Sequence, residues 1–225
     1  MPEENVKLIQ LSFVNAFLVK TNDGFVLVDT GLSSQWEKLE KELISAGCLP
    51  DKLKLVILTH GDSDHSGNCK KLQDRYGAKV AMHQDDYSII ETGFSGKRKV
   101  KSPGMRIMFW LFSLSRKLRK NRINPNKFTP NIFLRDNQRL QEYGFRATVL
   151  HLPGHTKGSI AILTDQGDLF AGDTFVNTTK PETARIIENP DQLKESIEKL
   201  RKLTLRTVYP GHGKPFLMES LNIEG

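Results

Sequence analysis

The densest chemistry in the sequence lies in the run His60-Gly61-Asp62-Ser63-Asp64-His65. Two imidazoles and two carboxylates fall within six residues, a donor set that suits a divalent first-row cation. The bland alternative is a polar surface loop in which Asp64 or Ser66 caps the next helix. Three further motifs weigh against it: His155 in Pro153-Gly154-His155-Thr156, Asp173 in Gly172-Asp173-Thr174, and His212 in Pro210-Gly211-His212-Gly213. Each sets a metal-competent side chain beside Gly or Pro that can form a tight turn. Four of the six histidines fall inside these motifs. No Gly-x-Ser-x-Gly elbow occurs, so the chemistry suggested is activation of water by a cation, without a serine nucleophile.

The elements that must position these residues are legible in outline. Lys7 to Leu11 and Ala16 to Val19 are short β-rich runs, and Thr21-Asn22-Asp23-Gly24 carries a hairpin turn. Phe25 to Val28 reads as a buried strand that runs into Asp29-Thr30-Gly31. Residues 34–46 show helical spacing, with Trp36, Leu39, Leu43 and Ile44 on one face and Gly47 as C-cap. Lys54 to Thr59 predicts a strand ahead of the His60 loop, followed by a helix from about Ser66 to Tyr76 and a strand from Lys79 to His83. Strands resume at Arg146 to Leu150, Ser159 to Leu163 and Asp168 to Ala171. A helix at about 190–203 presents Leu193, Ile197 and Leu200, and Thr207 to Tyr209 leads into the last motif. Two similar halves of strands and helices imply two sheets packed face to face with helices outside.

In this order the motifs resemble the metallo-β-lactamase superfamily, of the glyoxalase or lactonase kind. The resemblance rests on Asp29-Thr30-Gly31, the His60 to His65 loop, His155, Asp173 and His212, and covers most of residues 6–83 and 145–216. It implies a four-layer αββα sandwich of two mixed β-sheets within a single domain spanning residues 1–225. It implies His60 and His155 as ligands of a first metal, and Asp64, His65 and His212 as ligands of a second. Asp173 then bridges the two and, with Asp64, counts as catalytic. Asp29 becomes a buried group that orients the metal loop. His151, four residues before His155, matches no ligand of the family and reads as structural.

Asp62 is the departure, because the family loop is His-x-His-x-Asp-His. As a ligand, Asp62 would make a centre of two divalent ions, three carboxylates and one bridging hydroxide formally neutral. That weakens the Lewis acidity expected of the metals. Zinc is the expected metal, with manganese or iron tolerated because of the added oxygen ligand. On this basis Asp62→His should raise zinc retention. Alternatively, Asp62 points away and one metal binds.

The expected activity is that of a binuclear metallo-hydrolase: a metal-bound hydroxide attacks the carbonyl of a small-molecule ester, lactone or thioester. Two other chemistries compete, an iron-dependent persulfide dioxygenase and a nucleic-acid phosphodiesterase. The second ranks low, although a net charge of +7 permits phosphate contacts. A non-catalytic sensor is a further alternative, against which Asp64, Asp173 and His212 argue.

The positive charge is local. Twelve Lys and Arg, and no Asp or Glu, lie between Thr92 and Arg135, which leaves the remainder net acidic. This basic insertion, at about 88–135, reads as a cap or lid. Phe109, Trp110 and Phe112 within it are candidate substrate contacts. It could instead attract an anionic substrate, make peripheral contact with a membrane surface, or be a packed cap helix with a solvated basic face. Cys48 and Cys69 form no Cys-x-x-Cys pair and read as packing residues. Neither a signal-peptide pattern nor an apolar run of about 18 residues is present, so a cytoplasmic protein, with a homodimer as one possible assembly, is expected.

Overall fold

The computed structural model describes residues 5–93, 98–100 and 126–221. Its first sheet is formed by β1 (Val6–Leu11), β2 (Val14–Thr21), β3 (Gly24–Val28), β4 (Leu53–Ile57), β5 (Lys79–His83) and β7 (Ile132–Leu134), side by side in that order. The first three strands run antiparallel as hairpins, whereas β3, β4, β5 and β7 run parallel. The turn expected at residues 21–24 joins β2 to β3, with Gly24 at φ 142°. Parallel strands need crossovers, and the helices α1 (Trp36–Ser45) and α3 (Cys69–Tyr76) supply two of them. Both lay their apolar stripes on the outer face: Trp36, Leu39, Leu43, Cys69, Leu72 and Tyr76 pack among Leu27, Val56 and Val80.

The second sheet is built from β8 (Ala147–His151), β9 (Ile160–Thr164), β10 (Leu169–Asn177), β13 (Thr207–Gly213) and β14 (Phe216–Leu217), again side by side in that order. A short strand, β11 (Glu182–Thr183), pairs with β10. On the outer face of this sheet, α5 (Pro190–Arg201) buries Leu193, Ile197 and Leu200 against Leu169, Ala171 and Val208. Asn189 caps it, its Oδ1 accepting from the Asp191 and Gln192 amides at 3.1 and 3.2 Å.

The two sheets face each other across an apolar layer. Phe17, Val26, Val28, Leu55 and Ile57 from the first meet Val149, Ile160, Ile162, Phe170 and Tyr209 from the second. Three apolar clusters therefore separate four layers, and the architecture is the αββα sandwich. A two-stranded ribbon of β6 (Lys99–Val100) and β12 (Ile186–Ile187) completes the described strands.

Three local expectations shift. The helix expected from Ser66 to Tyr76 is broken into α2 (Ser63–Ser66) and α3, so the end of the metal loop is itself helical. Strands β10 and β13 continue through Asp173 and His212. They do so because their register slips between Phe170 and Gly172 and again before Val176, a bulge that re-aims side chains without ending the strand. Gly172 sits in this bulge at φ +50°, where a Cβ would lie 2.5 Å from Thr59 Oγ1. Within the range expected for the insertion, α4 (Tyr87–Thr92), β6 and β7 are described, and β7 forms the edge of the first sheet. Phe109, Trp110 and Phe112 lie outside the described residues.

Candidate metal centre

The seven candidate ligands come from both sheets and meet at one end of the sandwich. His60, Asp62, Asp64 and His65 follow β4, at the carboxyl ends of the parallel strands, a common place for ligand sites in such sheets. His155 follows β8, Asp173 rides on β10 and His212 on β13. Asp62 Oδ2 lies 3.5 Å from His60 Nε2 and 3.3 Å from His155 Nε2. Asp64 Oδ2 lies 3.8 Å from His65 Nε2 and 3.6 Å from His212 Nε2. Asp173 stands between the two groups. Its Oδ1 is 3.4 Å from His65 Nε2, while its Oδ2 is 3.2 Å from His212 Nε2 and 3.7 Å from His155 Nε2. Such spacings let two sets, His60–Asp62–His155 and Asp64–His65–His212, each close on one cation.

The outward hydrogen bonds set which nitrogen faces the centre. His155 Nδ1 lies 2.7 Å from the Ile186 carbonyl, and His212 Nδ1 lies 2.7 Å from the Phe13 carbonyl. A carbonyl only accepts, so each Nδ1 carries the proton. His65 Nδ1 meets Asp29 Oδ2 at 2.8 Å. Thr59 gives its single hydroxyl proton to Asp29 Oδ2 at 2.8 Å, so it accepts from His60 Nδ1 at 3.0 Å. In the neutral form all four imidazoles therefore turn an Nε2 lone pair inward. The Nε2 atoms of His60, His65 and His155, and Oδ1 of Asp173, are buried with no hydrogen-bond partner in the protein. Buried orphans of this kind are rare and costly, and a divalent cation would satisfy them together. The donor set thus fits the metal ions that the fold family implies.

Electrostatics point the same way. Burial opposes a charge on His65, but Asp29, Asp173 and Asp64 outweigh it and lift its pKa to about 10. His212 is likewise desolvated, yet Asp173 raises it to about 9. Burial would protonate Asp62 and Asp173. The surrounding imidazoles, with Arg98 also acting on Asp62, instead hold both carboxyls well below their ordinary value. The His60, His65 and His155 side chains are at most 2% exposed, whereas Asp64 is 24%, Asp62 18% and His212 16% exposed, so the centre opens where these three lie.

Asp29 is buried between Thr59 and His65. Its Oδ1 accepts from the Thr59 amide at 2.9 Å while its Oδ2 engages His65, and it holds φ 60° to do so. Three other residues at the site escaped the sequence reading. Buried Asp86 accepts from the Gly61 amide (2.8 Å), the Thr156 hydroxyl (2.7 Å) and the Gly158 amide (2.7 Å), clamping the His60 and His155 loops together. Its position just past the end of β5 was the available signal. Phe13, at the β1–β2 turn, stacks on His212 with ring centroids 5.8 Å apart and an interplanar angle of 9°, yet is 57% exposed. Arg98 grips Asp62, its Nη1 meeting Oδ2 and its Nη2 donating to Oδ1 at 2.8 Å. Nothing in the basic run set Arg98 apart from its neighbours.

His83, Asp85 and His151 form another cluster. The two rings stack 4.0 Å apart at 11°, so their in-plane lone pairs run parallel and do not converge on one ion. His151 Nε2 also meets the Lys157 carbonyl at 2.8 Å.

Residues 9–212 match the metallo-beta-lactamase superfamily, and the chain belongs to it. The chain is 26% identical over 230 residues to the acyl-coenzyme A thioesterases MBLAC2 of Homo sapiens and Bos taurus, covering 92% of this chain and 75% of theirs. Among solved structures, the family protein TTHA1429 of Thermus thermophilus superposes with a TM-score of 0.70 at 26% identity, covering 95% of this chain and 75% of that one. TTHA1623, solved in a di-iron-bound form, superposes at 0.69 and 26%, covering 95% and 94%. The superfamily is one of metallo-hydrolases, and its fold implies divalent metal ions at the site.

Proposed function

We propose that this chain is a binuclear metallo-hydrolase that cleaves a small-molecule carbonyl ester, with a thioester as the leading substrate class. One observation carries the reading. Side chains that are far apart along the chain converge so that three imidazole Nε2 atoms and one carboxylate oxygen, all buried, are left with no hydrogen-bond partner in the protein, spaced as cation ligands are. His60, Asp62 and His155 would hold the first ion, Asp64, His65 and His212 the second, with Asp173 reaching both. When bound, such ions acidify water and polarise a carbonyl oxygen.

The chain does the rest of the work. Asp29, Thr59, Ile186 and Phe13 fix the tautomer and aim of the four imidazoles, which removes reorganisation from the reaction. Asp64, partly exposed at the open side, accepts a hydrogen bond from the attacking water and orients it. Asp173 stays ionised and keeps the two halves of the centre in register. Phe13 offers an apolar wall beside His212 for the acyl portion of a substrate. Cys48 and Cys69 are buried, and neither is available as a nucleophile. Their unpaired state supports a reducing, cytoplasmic setting.

The thioester preference is supported by the MBLAC2 relatives, and zinc by the imidazole-rich donor set. The di-iron form of TTHA1623 and the oxygen donors of Asp62 support tolerance of iron or manganese. The test is metal analysis of unsupplemented protein, then a panel of acyl-coenzyme A thioesters, lactones, aryl esters and phosphodiesters. About two ions per chain and turnover of thioesters are expected. Oxygen uptake on a persulfide, or phosphodiesterase activity alone, would overturn the reading.

A further inference from the structure

Asp62 stands where a neutral imidazole is expected, and the structure supplies it with a partner. The Arg98 guanidinium engages both carboxylate oxygens in the two-pronged geometry that makes such pairs strong. The Arg98 side chain is only 5% exposed, and its Nε is buried without a partner. A guanidinium is withdrawn from water in this way only when a carboxylate compensates it. Here that carboxylate faces His60 and His155 through Oδ2. Both oxygens accept from Arg98, and of the two it is Oδ2 that also faces His60 and His155, so Asp62 offers the centre one oxygen, as an imidazole offers one nitrogen.

The backbone ties this pair to the rest of the site. Arg98 directly precedes β6, which pairs with β12 through Val100 opposite Ile186 and Lys99 opposite Ile187. The Ile186 carbonyl is the acceptor that orients His155. One small ribbon therefore aims one first-site imidazole and delivers the cation that grips the first-site carboxylate.

We infer that Asp62 and Arg98 act as a single unit in place of a neutral histidine, the carboxylate supplying one ligand oxygen and the guanidinium cancelling its charge. Arg98 is a positioning residue acting through Asp62. It returns the unit of positive charge that the aspartate takes from the centre, so the formally neutral core expected from the sequence becomes a positive one. The expectation that Asp62→His alone raises zinc retention is revised accordingly. That change strands Arg98 as a buried cation beside the ions.

The inference rests on the reading that these side chains hold cations, and it predicts a ladder of affinities set by local charge. Metal-depleted wild type, Arg98→Met, Asp62→His and the double variant are titrated with zinc against a competing chelator at neutral pH. Relative to wild type, Arg98→Met should tighten the first site by about tenfold or more, because it leaves an unneutralised carboxylate free to ligate through both oxygens. Asp62→His should weaken that site by about tenfold or more, and the double variant should return to within about threefold of wild type. The second site, Asp64, His65 and His212, does not include the carboxylate that Arg98 grips, so it is the internal reference and should move much less. Cobalt-substituted Arg98→Met should also show weaker ligand-field bands, from a higher coordination number at the first site. Arg98→Gln replaces Arg98→Met if thermal melting shows the latter unfolded. Unchanged or weaker binding in the Arg98 variant, or equal binding by Asp62→His and the double variant, overturns the inference. Wild type that takes up no zinc would instead remove the metal-centre reading itself.

Discussion

His65 and His212 are poised to take protons whenever cations are not bound. With values of about 10 and about 9, both imidazoles are charged at neutral pH in the metal-free protein. Metals bind the neutral ring, so uptake at pH 7 should release about two protons per chain from these rings, beyond any released by water that ionises on the cations. Calorimetry in buffers of different ionisation enthalpy measures that number. A value near zero would show that the acid cluster does not hold them charged. The same shifts set a stability trend. Folded values lie above the ordinary 6.5, so this stabilisation is complete below that pH and lost as pH rises through 9 to 10. Metal-free protein should therefore melt lower at pH 10 than at pH 7. The thiols behave differently. Burial pushes Cys48 up to about 12 and raises Cys69 as well, so neither should react with a thiol reagent at pH 8 until the protein unfolds. Reaction in the folded state would contradict their packing.

At the scale of elements, one turn and one clamp hold the centre. Asp86 ties the loop after β4 to the loop after β8 by three hydrogen bonds, accepted from the Gly61 and Gly158 amides and the Thr156 hydroxyl. Asp86→Ala strands those donors in a buried site and should cost about 2–4 kcal/mol. Urea unfolding measures this, and a loss under about 0.5 kcal/mol, the range of an ordinary surface substitution, would mean that the loops hold themselves. The β1–β2 turn contributes Phe13 by both its carbonyl and its ring. Phe13→Ala keeps the carbonyl and removes the exposed ring. It should raise KM for long acyl thioesters several-fold with kcat little changed, because it deletes binding contact but no reacting group. A fall in kcat at constant KM would place Phe13 in the chemistry.

For the whole molecule, the centre is a staple between the two sheets. Ligands from the first sheet's β4 loop and from β8, β10 and β13 of the second must stay together for the ions to bind. Asn15 of β2 adds a tie of its own, donating to the Pro210 and Gly213 carbonyls at 2.9 and 2.7 Å. Ions bind the folded form by preference, so loading at about a thousand times the dissociation constant should add roughly 4 kcal/mol to stability. Chelation should lower the melting temperature by several degrees or more, and cation return should restore it. A melting temperature indifferent to chelation would deny the link between the sheets. Among the described residues no helix is long and apolar enough to cross a membrane.

The sequence by itself determined the class of fold and the identity of the candidate ligands. Apolar periodicity outlined the strands and helices, metal-competent side chains beside Gly or Pro marked the candidates, and the resemblance to a known family supplied the ligand set and the four-layer arrangement. Helix α3 stopped at Gly77 and the hairpin turned at Gly24 for reasons visible within a few residues. Only the tertiary structure decided what each ligand leans on. Asp86, Phe13 and Arg98 reach the centre from segments that carry no motif, through contacts 25 to 199 residues away along the chain. Asp62 shows the difference most sharply. Read along the chain it is an aspartate in place of a histidine. In space it is half of an ion pair whose partner lies 36 residues on. Charge compensation depends on distance in space, which one-dimensional order does not encode.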